Sequence, residues 1–342
     1  MMRITVREIA SQAGVSPATV SLVLNNKKGV SEQTRQRVQK VLDRHNYKPS
    51  PIRRRQNHFR LVIIKYRTHG MAVEENQGFI ASIIDQIEQE CRRLNFHLIM
   101  RNCDAQHADA CIADIQQDPP DGIILVGTEM PKEDYWVLDR MQVPLVVLDN
   151  SMQYEKWDSV VMDNEGILRT AVLHLHQLGH REIGYFKSNR QINNLDERYA
   201  GYLQAMNELG LPVPAPTELA TTLNGAYRDM KKLIEAGQYK PHGAVVADND
   251  SIAIGAAKAI QEAGYNIPRD MSIIGVDDIP YSAITTPALS TVRISRSMLG
   301  TLAVEMIQKR VLNPDWPTMQ VKIAGSLIPR ASTRSPSAGK EP

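Results

Sequence analysis

The 342-residue chain contains three cysteines, Cys91, Cys103 and Cys111. They are too few and too scattered for a disulfide framework, and no C-x-x-C pair suggests a zinc ribbon. Cys103 and Cys111 have no convincing histidine partner and are expected to be buried hydrophobes. No apolar run approaches the roughly 18 residues needed to cross a membrane. The start, Met1-Met2-Arg3-Ile4-Thr5-Val6-Arg7-Glu8, places charges where a signal peptide needs apolar residues. A cytoplasmic protein is therefore expected, with no membrane partner. Neither G-x-G-x-x-G nor G-x-x-x-x-G-K-[ST] occurs, so the usual dinucleotide and nucleotide-phosphate loops are absent and no cofactor is expected. His176 and His180 lie one helical turn apart with His174 nearby, but no third ligand is apparent, so no metal site is expected.

What remains is a globular composition, 42% hydrophobic and 23% charged. The length predicts two or three domains. The net charge of +2 hides an asymmetry: residues 1–60 hold 13 Lys/Arg and 3 Asp/Glu, while the remainder holds 27 and 35. A basic head on an acidic body points to a polyanionic partner for the head, and nucleic acid is favoured over an anionic membrane.

The head reads as three short helices. Thr5-Val6-Arg7-Glu8 is a capping box, and Val6, Ile9, Ala10 and Ala13 repeat at helical spacing before Gly14 stops the helix. Ser16-Pro17 restarts it, as N-cap and first helical residue. Val20, Val23 and Leu24 give the second helix its buried face. Ser31 caps a third helix, with Val38, Val41 and Leu42 inward. Two short helices joined by a Gly-containing turn match a helix-turn-helix, which can present side chains to base edges in the major groove. A generic protein-binding bundle is the alternative; the charge balance favours DNA.

The run TVREIASQAGVSPATVSLVLNN from Thr5, followed by VSEQTRQRVQKVLDRHNYKPS, resembles the DNA-binding head of the lactose-repressor (LacI/GalR) family, densely over residues 4–50. The resemblance implies that Pro17, Ala18 and Leu22 occupy base-reading positions, and that Ser16, Thr19 and Ser21 contact phosphates or cap. Thr5 and Asn25 complete the DNA-facing set within this run. Leu22 departs from the polar residue many members carry. It can touch a thymine methyl but cannot make the bidentate guanine bond of an arginine. The hinge departs further. Where the family reads P-N-x-x-A-R-x-L, this chain has Pro49-Ser50-Pro51-Ile52-Arg53-Arg54-Arg55-Gln56. Gln56 stands where the usual Leu wedges into a base step, and Arg53 replaces the small Ala. Arg53, Arg54 and Arg55 form either a solvated basic linker or a cluster for a narrow minor groove, and less DNA kinking is expected than with Leu.

From Leu61 short apolar runs alternate with helical stretches, the pattern of parallel sheets covered by helices. Strands are expected at 61–65, 96–101, 122–126, 145–149, 159–162, 183–186, 244–247 and 273–276. Helices between them include 80–94, 167–178, 200–209, 251–263 and 298–311. About 270 residues exceed one compact open sheet, so two α/β lobes with a ligand cleft between them are expected.

The resemblance continues to about Arg330. It is carried by VVMDNEGILRTAVLHLHQLGHREIGYF from 160, by Arg198–Tyr202, by VVADNDSIAIG from 245, and by Val276–Asp278 with TTPALSTV from 285. The implied fold is α/β: an all-α helix-turn-helix head on a two-lobed periplasmic-binding-protein-like body of parallel sheets, crossing between lobes near 160, 290 and 323. The implied domains are a head at 1–48, a hinge at 49–60, an effector-binding and dimerisation body at 61–330 and a disordered tail at 331–342. The tail lacks Leu, Ile and Val, so it offers no coiled-coil seam, and a homodimer is expected in place of a tetramer.

The resemblance implies that Arg198 and Asp277 are the foremost effector contacts, a planar donor fork and a carboxylate at a strand end. The alternative roles are a lobe-to-lobe salt bridge for Arg198 and an N-cap for Asp277, a task Asp278 could take instead. The resemblance further implies Asn249, with a capping alternative, then Phe79 and Ile80 as pocket walls, and Asp149 and Asp163. The expected function is a transcription regulator acting as a repressor, binding an operator in double-stranded DNA and a small polar, sugar-like metabolite. A regulator controlled by a protein partner, or an α/β enzyme acting on sugars, are the alternatives.

Overall fold

The computed structural model describes residues 6–24, 29–45, 59–72 and 78–336. The chain divides into two compact units, Met1–Phe59 and Arg60–Pro342.

The first unit holds α1 (Val6–Ala13), α2 (Pro17–Leu24) and α3 (Glu32–Arg44). Gly14 takes a left-handed φ of +63° and ends α1, with the Val15 amide bonding back to the Ala10 carbonyl at 3.0 Å. The Ser16 hydroxyl accepts from the Thr19 amide at 3.1 Å, and Ser31 accepts from the Thr34 amide at 3.3 Å. Both caps fall where the sequence places them. Ile9, Ala10, Ala13, Val20, Val23, Val38, Val41 and Leu42 close one core. His45 bonds Gln12 at 2.8 Å and ties the end of α3 to α1.

The second unit contains two sheets of six strands each. The first consists of β1 (Arg60–Arg67), β2 (His97–Asp104), β3 (Gly122–Val126), β4 (Leu145–Leu148), β5 (Asp158–Met162) and β11 (Gln320–Ile323), in the order β11-β5-β4-β3-β1-β2. The second consists of β6 (Ile183–Ser188), β7 (Thr217–Leu219), β8 (Ala244–Ala247), β9 (Ser272–Asp277), β10 (Ser290–Arg293) and β12 (Ser326–Ile328), in the order β12-β10-β9-β8-β6-β7. Both sheets are parallel except for the antiparallel β10–β12 pair. The eight expected strands are present, and the short strands β7, β10, β11 and β12 join them.

Helices cover the faces: α4 (Phe79–Arg93), α5 (Ala108–Gln117) and α6 (Trp136–Met141) in the first lobe; α8 (Asn193–Glu208), α9 (Leu223–Glu235), α10 (Asp250–Glu262) and α11 (Pro280–Ile284) in the second. Two helices follow crossings. After β5 the chain enters the second lobe as α7 (Asn164–Gln177), and after β10 it returns to the first as α12 (Arg296–Leu312). The third crossing joins β11 to β12. Helix packing is close where glycine permits it. A Cβ at Gly201 would lie 2.6 Å from the Glu165 backbone, and one at Gly255 would collide with the Leu223 carbonyl.

The tail departs from its expected disorder over residues 331–336. Ser332 is 1% exposed, donating to the Ile273 carbonyl at 2.6 Å and accepting from the Ser290 amide at 2.7 Å. Thr333 meets His174 at 3.0 Å, and the Arg334 carbonyl meets His180 at 2.9 Å. Composition made this segment look solvated, but its hydroxyls and carbonyls satisfy polar groups at the starts of β9 and β10. His174 and His180 are thereby structural, and no metal-ligating cluster exists among the described residues. Residues 337–342 lie outside the described residues.

Deleting residues 331–342 is therefore expected to destabilise the protein by about 2–4 kcal/mol, since it orphans the buried Ser290 amide and Ile273 carbonyl. Thermal melts of the two chains check this; equal melting temperatures would contradict it.

Candidate functional site

The carboxyl ends of both sheets face a common cleft. From the first lobe it is lined by Met71 and Ala72 after β1, Phe79 opening α4, Thr128 after β3, Asp149 after β4 and Met162 ending β5. From the second come Ile192, Asn194 and Leu195 after β6, Thr221 after β7, Asn249 after β8, Asp277 ending β9, and Arg198 on α8. This is where an open parallel sheet offers loop residues and helix starts to a ligand.

Arg198 is buried at 3% exposure. Its guanidinium donates to Asn164 Oδ1 at 3.1 Å, the Asp248 carbonyl at 2.5 Å and Asp277 Oδ1 at 3.0 Å. All three partners belong to the second lobe, so the arginine is not a bridge between lobes. Burial works against its charge, and Asp277 and Asp248 more than offset this, raising its pKa. Burial also pushes the Asp277 carboxyl up, against the pull of Arg198. Asp277 has φ +112° and Asp278 has φ +53°. Asp277 caps no helix: its Oδ2 has no partner among the described residues, while Arg296 holds its carbonyl at 3.1 Å. Asp278 is no cap either, accepting from Arg293 at 2.7 Å and Arg330 at 2.6 Å.

Asp149 sits opposite with φ +63°. Its Oδ2 accepts from Thr128 Oγ1 at 2.5 Å, and its Oδ1 from Asn194 Nδ2 at 2.9 Å, across the lobes. Burial pushes its carboxyl up to about 7. Two carboxylates beneath the cleft are raised by burial as well: Asp248, bonded by Tyr185 and the Ser188 amide, to about 6, and Asp250, bonded by Ser282 and Thr291, to about 7. A second bond between lobes runs from Ser151 Oγ to Glu197 at 2.5 Å, and Ala72 packs against Ile192 and Leu195.

The remaining expected residues divide. Asn249 lines the cleft while its Oδ1 caps α10 through the Ile252 amide at 2.8 Å. Phe79 lines it, with the Arg296 guanidinium 5.8 Å from its ring centroid. Ile80 and Asp163 do not reach it. Ile80 is buried within α4, and Asp163 caps α7 through the Gly166 amide at 3.3 Å. Both sit beside the cleft in sequence, but helix geometry turns them away. In the head, Ser16 and Pro17 are exposed, and Thr19 and Leu22 half-buried. Thr5, Asn25, Arg53, Arg54, Arg55 and Gln56, with the side chains of Ala18 and Ser21, lie outside the described residues.

Thr128, Asn194, Thr221 and Met71 were not among the expected contacts, although each follows a strand or opens a helix. Glu129 was missed too. Its buried carboxylate accepts from the amides of Thr68, His69, Gly70 and Ala72 at 2.8–2.9 Å. Burial opposes its ionisation, but these four donors prevail and hold it below the ordinary range. The carboxylate fixes the loop that presents Met71 and Ala72.

Comparison with known proteins follows the same two parts. Residues 5–50 match the profile of bacterial regulatory proteins, lacI family, and residues 172–333 match a periplasmic binding protein-like domain. The HTH-type transcriptional regulator GalR of Lacticaseibacillus casei is 31% identical over 96% of this chain and 99% of its own. The HTH-type transcriptional repressor PurR of Klebsiella pneumoniae is 29% identical over 96% of each. A crystal structure of the Lac repressor dimer bound to operator and an anti-inducer superposes with TM-score 0.72 at 23% identity, covering 97% of this chain and all of that one.

Two outcomes are expected. Glu129→Gln turns an amide donor toward main-chain donors and should cost about 2–3 kcal/mol in urea unfolding; an unchanged midpoint would contradict the loop clamp. Asp149 holds a proton when folded between its ordinary 3.8 and about 7. Its contribution to stability is thus full below about pH 4 and lost as pH rises through 7. The stability of Asp149→Asn relative to the parent should therefore rise from pH 5 to pH 8, and a constant difference would refute the raised carboxyl.

Proposed function

The chain belongs to the lacI family of bacterial regulatory proteins, and from that premise we propose that it is a transcriptional repressor whose operator affinity is set by a small polar metabolite in the cleft. One observation carries the reading: the relationship to GalR and PurR runs through head and body alike, over 96% of the chain. The basic head, with its exposed Ser16 and Pro17 at the start of α2, is suited to DNA. The body supplies a cleft with a buried donor fork and a carboxylate whose second oxygen is unengaged. A polar cleft of this kind favours a metabolite over a protein as the controlling partner.

In this reading residues 1–48 bind DNA, 49–60 form the hinge, and the body binds the effector and dimerises. Tyr281 and Ile284, 46% and 74% exposed on α11, supply apolar surface suited to a second copy. A two-fold operator requires two heads. Among the described residues no helix is long and apolar enough to cross a membrane. The protein is proposed to act as a regulator and not as an enzyme, in the cytoplasm at the nucleoid.

Affinity for a palindromic site selected from random DNA should fall about 10³–10⁵-fold between 50 and 200 mM salt if six to ten phosphates are neutralised. A flat response, or equal binding by a chain beginning at Leu61, would refute head-driven binding. Asp277→Asn should abolish any thermal shift found in a screen of sugars, sugar acids, polyols and nucleobases while sparing operator affinity. It is a cleaner variant than Arg198→Ala, which leaves Asp277 buried without its counter-ion. An unchanged ligand affinity would move the site elsewhere.

A further inference from the structure

The amino ends of β6 and β8, at the opposite end of the second sheet from the cleft, border a cavity of about 510 Å³. Its floor is Gly184, Phe186, Ala244 and Val245, and its walls are residues 212–215 and 238–240. A volume of this order suits a small molecule, and no residue of the cleft lines it.

The cavity exists because β7 starts late. β6 begins at Ile183, but it pairs with β7 only from Phe186, opposite Thr217. The approach to β7 reads Leu211-Pro212-Val213-Pro214-Ala215-Pro216. Each proline fixes φ and constrains the residue before it, and residues 211–216 join no strand.

Two features of the exposed edge of β6 point to a ligand. The first is the Tyr185 amide. The Glu182 and Phe186 carbonyls accept from the Ala244 and Asp248 amides at 3.3 and 3.0 Å, so the even-numbered residues of β6 turn their main chain toward β8. Tyr185 therefore turns its amide the other way, toward residues 212–215. That amide has no hydrogen-bond partner among the described residues, although Tyr185 is 2% exposed. A buried unpaired amide is rare and calls for an acceptor. The second feature is Gly184. Its φ is not left-handed, and a Cβ there would meet nothing nearer than 3.7 Å. Neither conformation nor crowding requires glycine in this strand, and such a glycine marks a place where another molecule approaches closely. Residues 184 and 186 share a face of the sheet. The Phe186 ring on that face lies 5.8 Å from the Tyr239 ring, between centroids, so the missing side chain at 184 opens the floor of the cavity.

The lining narrows the ligand. Phe186, Tyr239, Pro212 and Pro214 offer flat apolar surfaces suited to an aromatic ring. The unengaged polar groups are donors. Lys240 is exposed, and its ammonium has no partner among the described residues. Glu182, the one carboxylate of the lining, faces His242 Nε2 at 3.9 Å. A negatively charged acceptor satisfies both the Tyr185 amide and Lys240. An added peptide strand fits less well. It would need the Ile183 carbonyl as well as the Tyr185 amide, and that carbonyl already accepts from the Tyr202 hydroxyl at 2.7 Å.

We propose that this cavity is a second small-molecule site and that it takes an aromatic carboxylic acid, the ring lying over Gly184 between the prolines and Tyr239, the carboxylate held by the Tyr185 amide and Lys240. The site stands apart from the cleft and does not depend on what the cleft binds.

Isothermal titration of the full chain tests it with benzoate, phenylacetate, 4-hydroxybenzoate and indole-3-acetate. Benzamide, benzylamine and acetate serve as the uncharged, cationic and ringless counterparts. At least one aromatic acid should bind about tenfold or more tighter than all three counterparts, the difference expected of a charge-assisted hydrogen bond. Gly184→Leu, which fills the floor, should abolish that binding, and Lys240→Ala should weaken it about tenfold, with thermal melts showing both variants folded. Hydrogen exchange of the unsubstituted protein adds a readout that needs no variant: the Tyr185 amide should become protected when the acid is added. Failure of every aromatic acid to bind overturns the proposal. So does an acid that binds Gly184→Leu as well as the parent, or that leaves the Tyr185 amide unprotected. Equal affinity for benzamide refutes the carboxylate and with it the ligand class.

Discussion

Three segments on the second lobe's side of the cleft are held together by one buried guanidinium. An arginine out of water needs a counter-ion and further hydrogen bonds. Arg198 meets this demand by drawing together the start of α7, the end of β8 and the end of β9 through Asn164, Asp248 and Asp277. These three segments are far apart in sequence, so the position of each depends on the same ion. The first lobe solves the corresponding problem with a carboxylate. Glu129 gathers the amides of residues 68–72 and sets the wall formed by Met71 and Ala72.

The two walls meet through few polar contacts, chiefly Asn194 with Asp149 and Glu197 with Ser151. Apolar contact between the lobes among the described residues includes the small cluster of Ala72 with Ile192 and Leu195. A seam of this kind can open without disturbing either core. The Asn194–Asp149 bond belongs to residues that line the cleft, so a ligand there competes with or reinforces it directly. A ligand that favours one arrangement of the lobes shifts their population, and only by its differential affinity for the two.

Much of this was legible in the sequence. The eight strong apolar runs became strands, and the caps at Ser16 and Ser31 formed as their residue types require. The strands that escaped notice have three or four residues and little apolar run. β7, β11 and β12 lie at sheet edges, where half the surface faces solvent and no hydrophobic pattern is needed. At the site, Asp277 stood out as a carboxylate after a buried strand, and Arg198 through the resemblance of Arg198–Tyr202 to a family segment. Asp163 and Ile80 were misplaced because neighbours in sequence point to different sides of a helix start. Thr128, Asn194 and Glu129 were missed because their roles depend on which loops meet, a property of the sheet order. Composition misjudged residues 331–336 for a related reason: a polar segment can be ordered when buried donors and acceptors elsewhere need partners.

The central claim is that cleft and head are thermodynamically one system. Linkage makes this testable in a single measurement: titrate the effector into the protein alone and into the protein saturated with operator DNA, and compare the two dissociation constants. The account predicts a difference of about 5–150-fold, equal to the factor by which effector changes operator affinity. Identical effector affinity with and without operator would mean that the cleft binds its ligand without informing the head, and the regulatory reading would fail.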